Sequence, residues 1–232
     1  TAPHTYREVY RLKKSGQAWA WDRVPADLPW PVSEPGVAVL GKRIYLMGGA
    51  DFYRLPGEKG EDFVSERGRT GAPVGKALLM LDTSKVSAGW QRVADLPGTS
   101  RFDTAVAVAG GKLYSLGGVH RTSGPGYRNA VDSWVFDPAS GKWSRLPDAP
   151  QGSNRRAVAW RDRYLILLSG YRYNLTQHPD GRAVDVYTAE ERKRKFQDFF
   201  EDTVLIYDTV TKQWSKGDHL SERTSWPMAD VA

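Results

Sequence analysis

The segment Val106-Ala-Val-Ala-Gly-Gly-Lys-Leu-Tyr-Ser-Leu-Gly-Gly118 carries the strongest structural signal in this 232-residue chain. An apolar run meets Gly110-Gly111, a second apolar run follows to Leu116, and a glycine pair closes it. Glycines between two apolar runs are the turn chemistry of a tight β-hairpin, and a small pair at a strand end suits a place where another backbone comes close. The pattern recurs upstream as Val37-Ala-Val-Leu-Gly-Lys-Arg-Ile-Tyr-Leu-Met-Gly-Gly49. It recurs downstream as Ala157-Val-Ala-Trp-Arg-Asp-Arg-Tyr-Leu-Ile-Leu-Leu-Ser-Gly170, with Arg161-Asp162 at the turn.

A second pattern interleaves with the first. Val9-Tyr-Arg-Leu12, Leu78-Leu-Met-Leu-Asp82, Ser133-Trp-Val-Phe-Asp137 and Val204-Leu-Ile-Tyr-Asp208 each lead to a strand opening with Trp21, Trp90, Trp143 or Trp214. Aspartate accepts backbone hydrogen bonds in the intervening turn, and Gly141 supplies positive φ. Leu28-Pro29, Leu96-Pro97 and Leu146-Pro147 terminate three of these units. Alternation of the two patterns predicts a four-stranded unit: apolar hairpin, small pair, connection, aromatic strand, Asp turn, Trp strand. The tryptophans are expected to pack between successive units.

This repeat resembles the kelch repeat, whose marks are the double glycine, the tyrosine before it and the tryptophan about a strand later. Arg101 fits as well, sixteen residues before Gly117. The resemblance implies an all-β fold, a kelch-type β-propeller with four-stranded blades. The expected units are a half blade 1–31, blades 32–99, 100–150 and 151–221, and the start of a further blade at 222–232. The chain therefore reads as part of a larger, six-bladed propeller. Small-pair positions are 69 residues apart from Gly48 to Gly117 and 52 from Gly117 to Ser169. Kelch units run to about 50 residues, so the excess lies in insertions, Ala50 to Lys76 and Tyr171 to Asp202, on one face. Long loops of this kind commonly carry function. In the second, Thr188 to Phe200 is expected to be helical, with Phe196, Phe199 and Phe200 on one side.

Composition narrows the chemistry. Cysteine is absent, which excludes thiol nucleophiles, zinc–thiolate sites and disulfides, and with them the copper-radical oxidases built on kelch propellers. Four scattered histidines give no metal-site spacing. The net charge of +6 is dispersed, and the one dense basic run, Glu190-Glu-Arg-Lys-Arg-Lys195, carries its own acids, so no nucleic-acid partner is expected. The apolar run Tyr164 to Gly170 is too short to cross a bilayer, so no membrane partner is expected either.

The second insertion is similar to that of the N-acetylneuraminate epimerase (sialic acid mutarotase) family. The residues that carry this are Tyr171-Arg-Tyr-Asn174, Ala183-Val-Asp185, Glu191-Arg-Lys-Arg-Lys-Phe-Gln-Asp-Phe-Phe200 and the Asp208 to Ser215 hairpin. Leu96-Pro-Gly-Thr-Ser-Arg101 and Gly48-Gly-Ala-Asp-Phe52 match that family too. The order of long-insert, short and helical-insert blades is that of its permuted members. The resemblance implies a bacterial isomerase that interconverts the anomers of N-acetylneuraminate by metal-free acid/base ring opening, with no cofactor and a periplasmic or secreted location. It also places the family's base beyond Ala232. The inner-strand starts, which line a propeller channel, supply Glu34 as the clear carboxylate base candidate. They supply Arg101, Asp103, Asn154, Arg155, Arg156 and Arg223 as ligands for a small sugar acid, joined by Tyr171, Arg172 and Asn174 on the loop. Arg101 reads either as an anion ligand or as half of a channel-sealing ion pair. The competing function is a non-catalytic kelch module binding a protein or glycan through loops 50–76 and 171–202.

Overall fold

The computed structural model describes residues 6–51, 73–120, 127–173, 175–177, 183–185 and 200–223. The expected hairpins form. Strands β1 (Val9–Ser15) and β2 (Ala18–Val24) pair antiparallel as a two-stranded sheet. A four-stranded sheet follows from β3 (Gly36–Leu40), β4 (Arg43–Met47), β5 (Ala77–Asp82) and β6 (Gln91–Asp95). The next contains β7 (Ala105–Ala109), β8 (Lys112–His120), β9 (Arg128–Asp137) and β10 (Lys142–Leu146). Within the third full unit, which bears the second insertion, lie β11 (Arg156–Trp160), β12 (Tyr164–Leu168), β13 (Leu175–Gln177), β14 (Ala183–Asp185), β15 (Val204–Asp208) and β16 (Gln213–Lys216). Of these, β11, β12, β15 and β16 form the second four-stranded antiparallel sheet, the third full sheet along the chain, while the sheet of β7 to β10 is six-stranded through β13 and β14. The only helical turn among the described residues is Val86–Ala88.

Turn chemistry behaves as the sequence predicts. The Oδ1 atoms of Asp82, Asp137 and Asp208 accept the backbone N–H two residues on, from Ser84, Ala139 and Val210, each at 2.9 Å. Arg161 and Asp162 adopt positive φ at the turn where the other two hairpins use glycine. At Gly48, φ is +64° and an added Cβ would lie 2.4 Å from the Arg101 carbonyl oxygen, so this position requires glycine on both counts.

The sheets stack face to face. Ala38, Tyr45, Met47 and Leu78 of the first full sheet meet Val106, Leu113 and Phe136 of the second. Ala105, Ala107, Tyr114 and Leu116 of the second meet Leu165, Leu167, Leu205 and Tyr207 of the third. The inner strands β3, β7 and β11 contact one another in that order, the arrangement expected of sheets radiating from an axis. Trp90 and Trp214 join neighbouring sheets, donating Nε1–H to the carbonyls of Ala26 at 3.0 Å and Pro147 at 3.1 Å. Trp21 does not follow: it is 70% exposed, on the face of the β1–β2 hairpin turned away from the next sheet.

The second insertion departs from its reading. Residues 188–199 of the expected helix lie outside the described residues, but Phe200, its last member, is in an antiparallel bridge with Tyr171. Extended backbone there is stabilised by edge-on ring contact between the two side chains, with centroids 5.8 Å apart. The same insertion supplies β13 and β14, and β13 pairs parallel with β9, so part of the third unit joins the second sheet. Helical periodicity in the sequence gives no sign of that long-range pairing.

Candidate functional site

The hairpin registers define equivalent positions. Gly36 pairs with Met47, Ala105 with Leu116 and Arg156 with Leu168. Glu34, Asp103 and Asn154 therefore stand at the same point, two residues before their inner strands. Glu34 (φ 51°) and Asp103 (φ 48°) both adopt left-handed backbone conformations, which are costly for residues with a side chain. A hydrogen bond links them: the Asp103 N–H donates to the Glu34 carbonyl oxygen at 2.9 Å. The repeated turn brings two acids from adjacent sheets to one end of the inner strands.

Arg156 completes this group. Its Nη2 lies 3.3 Å and its Nη1 3.4 Å from Asp103 Oδ1. Asp103 is buried, whereas the Arg156 side chain keeps 38% of its exposure. This is a long ion pair with an accessible cation, unlike a bidentate clamp. Burial of the Glu34 carboxyl and the negative charge of Asp103 raise its pKa to about 7, against the opposing pull of Arg156. The residue as a whole remains solvent-exposed, so protein crowds its carboxyl while water still reaches the side chain. A carboxyl poised there changes protonation near neutral pH, as a general base requires.

The other candidates are arranged differently. Arg101 has no exposed surface. Its Nε donates to the Thr99 carbonyl at 2.8 Å, its Nη1 to the carbonyls of Gly117 at 2.9 Å and Asp132 at 2.7 Å, and its Nη2 pairs with Asp132 Oδ2 at 2.5 Å. Burial alone would raise the Asp132 pKa, but the Arg101 charge and hydrogen bonds from Trp134, Arg101 and the Thr99 N–H carry it below the usual carboxylate range. Nε and Nη1 are hydrogen-bonded, Nη2 is ion-paired to Asp132, and the whole side chain is buried, an arrangement that fits the channel-sealing reading better than that of an anion ligand.

Strand alternation sends Arg155 the opposite way from Arg156. Its Nη1 and Nη2 bond the Thr203 carbonyl and hydroxyl, each at 2.7 Å, and burial lowers its pKa to about 10 despite the nearby Glu201 charge. Arg172 pairs through Nε with Glu201 at 2.9 Å. Asn154 is buried, and its Oδ1 accepts the Tyr171 N–H. Arg223 is exposed and lies 3.8 Å from Asp202. Asn174 lies outside the described residues, as do most of loops 50–76 and 171–202.

Phe102, Tyr127, Tyr171 and Tyr173 form an aromatic cluster. Tyr173 stacks on Tyr127 at 4.9 Å and meets the edge of Tyr171 at 4.8 Å, with Phe102 beyond Tyr127. Sequence reading passed over Tyr173 and Tyr127. Alternation from Arg172 would have set Tyr173 on the same side as Tyr171. Asp132 was also missed, although a lone acid in the apolar run Ala130 to Val135 signals a buried partner.

Sheets fanned around contacting inner strands, with polar groups gathered at one end, define a protein of the β-propeller class. Residues 70–225 match the family model described as N-acetylneuraminate epimerase, and the chain belongs to that family. It is 32% identical over 157 residues to N-acetylneuraminate epimerase of Yersinia pestis (strain Pestoides F), covering 62% of this chain and 40% of that protein. It is 27% identical over 222 residues to N-acetylneuraminate epimerase of Brucella suis (strain ATCC 23445 / NCTC 10510), covering 85% and 50%. The solved structure of YjhT superposes with a TM-score of 0.59 at 20% identity, over 83% of this chain and 53% of that one. The chain thus spans about half or less of the length of these curated relatives.

Proposed function

We propose that this chain forms three and a half blades of a six-bladed kelch propeller that interconverts the anomers of N-acetylneuraminate or a related sialic acid. The blades are 32–99, 100–150 and 151–221, with a half blade at 1–31 and a further blade beginning at 222–232. The observation that carries the function is the convergence of Glu34, Asp103 and Arg156 at one end of the inner strands. The names of the relatives support the substrate class.

In this reading Glu34 is the base. Its carboxylate takes the anomeric hydroxyl proton, the bond from the anomeric carbon to the ring oxygen breaks, and the ring oxygen gains a proton. The open-chain ketone recloses on its other face. Arg156 binds the sugar carboxylate, since its loose pairing with Asp103 leaves N–H groups for a better-aligned anion. Arg172 and Arg223 are the further cations available to the sugar, while Arg101, Arg155 and the buried Asn154 hold the frame. The test is one-dimensional NMR of freshly dissolved N-acetylneuraminate with and without the full-length protein. Acceleration of anomer exchange is expected, and exchange at the uncatalysed rate overturns the reading.

A further inference from the structure

Arg155 is a buried cation that touches no carboxylate among the described residues. Its Nη1 and Nη2 reach only neutral oxygens, on Thr203 and Gln151. Glu201 connects to it through the Thr203 hydroxyl, 3.4 Å from Oε2, while its Oε1 is held by Arg172 at 2.9 Å. The Arg172 charge opposes that of Arg155. A buried charge left in this state is costly. Three polar atoms here also lack a hydrogen-bond partner: Arg155 Nε, Asn154 Nδ2 and Ser153 Oγ. None of the three residues is more than 2% exposed. Buried donors seldom go unpaired, and three in consecutive residues call for a common acceptor. A tight turn gathers them, with the Arg155 N–H donating to the Ser153 carbonyl at 3.0 Å.

The three side chains meet at Gly170. A Cβ there would lie 2.8 Å from Ser153 Oγ and 3.2 Å from Arg155 Cγ, two bonds from the open Nε. Asn154 Oδ1 accepts the N–H of the next residue, Tyr171, which sets its amide beside the same glycine. The Asn154 carbonyl is 3.0 Å from that point, as the Ser33 carbonyl is at Gly49 and the Phe102 carbonyl at Gly118, so this contact belongs to glycine packing common to the three units. The side chains differ. Val32 and Pro35 border Gly49, Thr104 borders Gly118, and the third unit alone of these places a guanidinium and a hydroxyl there.

We propose that Ser153, Asn154 and Arg155 bind a small monovalent anion of the halide class, chloride in the cell, at the seam between the second and third full sheets. Guanidinium and amide N–H groups only donate, and the serine hydroxyl rotates to do the same. A water would bring two protons needing acceptors of their own, whereas an anion brings none and answers the charge of Arg155. Burial of all three side chains selects a compact ion over a carboxylate or phosphate. The anion holds the turn whose next residue, Arg156, reaches Asp103. This site is separate from the sugar chemistry and does not depend on it.

The experiment follows thermal unfolding of the full-length protein in sodium chloride and in sodium gluconate at matched ionic strength, with diffraction from crystals soaked in sodium bromide. The midpoint is expected to be about 3 °C or more higher in saturating chloride, the scale for a ligand bound by the folded state alone. Bromide is expected to give an anomalous peak in contact with Arg155 Nε and Ser153 Oγ. Ser153→Ala deletes one donor and keeps the charge, so it is expected to fold and to show a weaker chloride response. Arg155→Gln is expected to abolish that response. Equal midpoints in the two salts overturn the site, as does a water where bromide is expected. A bromide peak without a chloride-dependent midpoint marks an adventitious ion only and overturns it too. A chloride response undiminished in Ser153→Ala places the ion elsewhere. None of these readouts involves the sugar, so they stand whether or not anomer exchange is accelerated.

Discussion

Arg101 and Glu34 show how differently two residues just before the inner strands can be used. Arg101 is sealed with Asp132 in a pair with no exposed side-chain surface on either partner. Removing one member leaves an uncompensated buried charge, so Asp132→Ala is expected to cost about 3–5 kcal/mol, read from urea unfolding midpoints. Glu34 instead titrates in the working range. With its pKa near 7, anomer exchange is expected to rise with pH through that value and then level off. Asp103→Asn removes the negative neighbour and should move the inflection down, whereas Arg156→Ala should move it up. Stability runs the other way. The folded state holds the Glu34 proton above its ordinary pKa of 4.5, so ionisation between that value and about 7 subtracts stability as pH rises. Arg156→Ala should also weaken substrate binding, seen as a higher KM.

At the scale of the element, the small pair is the feature most sensitive to change. Gly48 and Gly110 share positive φ, +64° and +55°, but a Cβ at Gly110 meets nothing within 4 Å while one at Gly48 meets the Arg101 carbonyl. Gly110→Ala is expected to cost about 1 kcal/mol from conformation alone. Gly48→Ala is expected to cost at least about 3 kcal/mol, because a backbone carbonyl must also move; paired denaturant curves separate the two. These turn and pair positions were readable because local chemistry determines them: the Asp82, Asp137 and Asp208 turns need only neighbouring N–H groups. The β13–β9 pairing was not readable, since it joins Leu175 to Arg128 across a sheet boundary. The candidate site was legible in part. Position relative to the inner strands located Glu34, Asp103 and Arg156, but the partners that occupy Arg101 and Arg155 are set by packing between distant segments.

For the whole molecule, the first units present an uncovered apolar face. Leu12 lies opposite Trp21 on the same side of the hairpin as Tyr10 and Trp19, and these four are 49–70% exposed. Val37 and Val39 of β3 are exposed as well. In a closed ring a neighbouring blade would cover such a face. The 232-residue chain alone is expected to bind the apolar dye ANS, and the double substitution Trp19→Lys with Trp21→Lys should weaken the dye signal while leaving far-UV circular dichroism unchanged. Sheet connectivity also bears on how the chain assembles. In the first full sheet Met47 must find Leu78, and in the third Leu168 must find Val204, each across an insertion. In the middle sheet Leu116 meets Ser133 over a much shorter span. Closing a longer loop costs more entropy before any contact repays it. On loop entropy, the middle sheet is expected to close first on refolding of the whole chain. The two insertions belong to the sheets expected to close later.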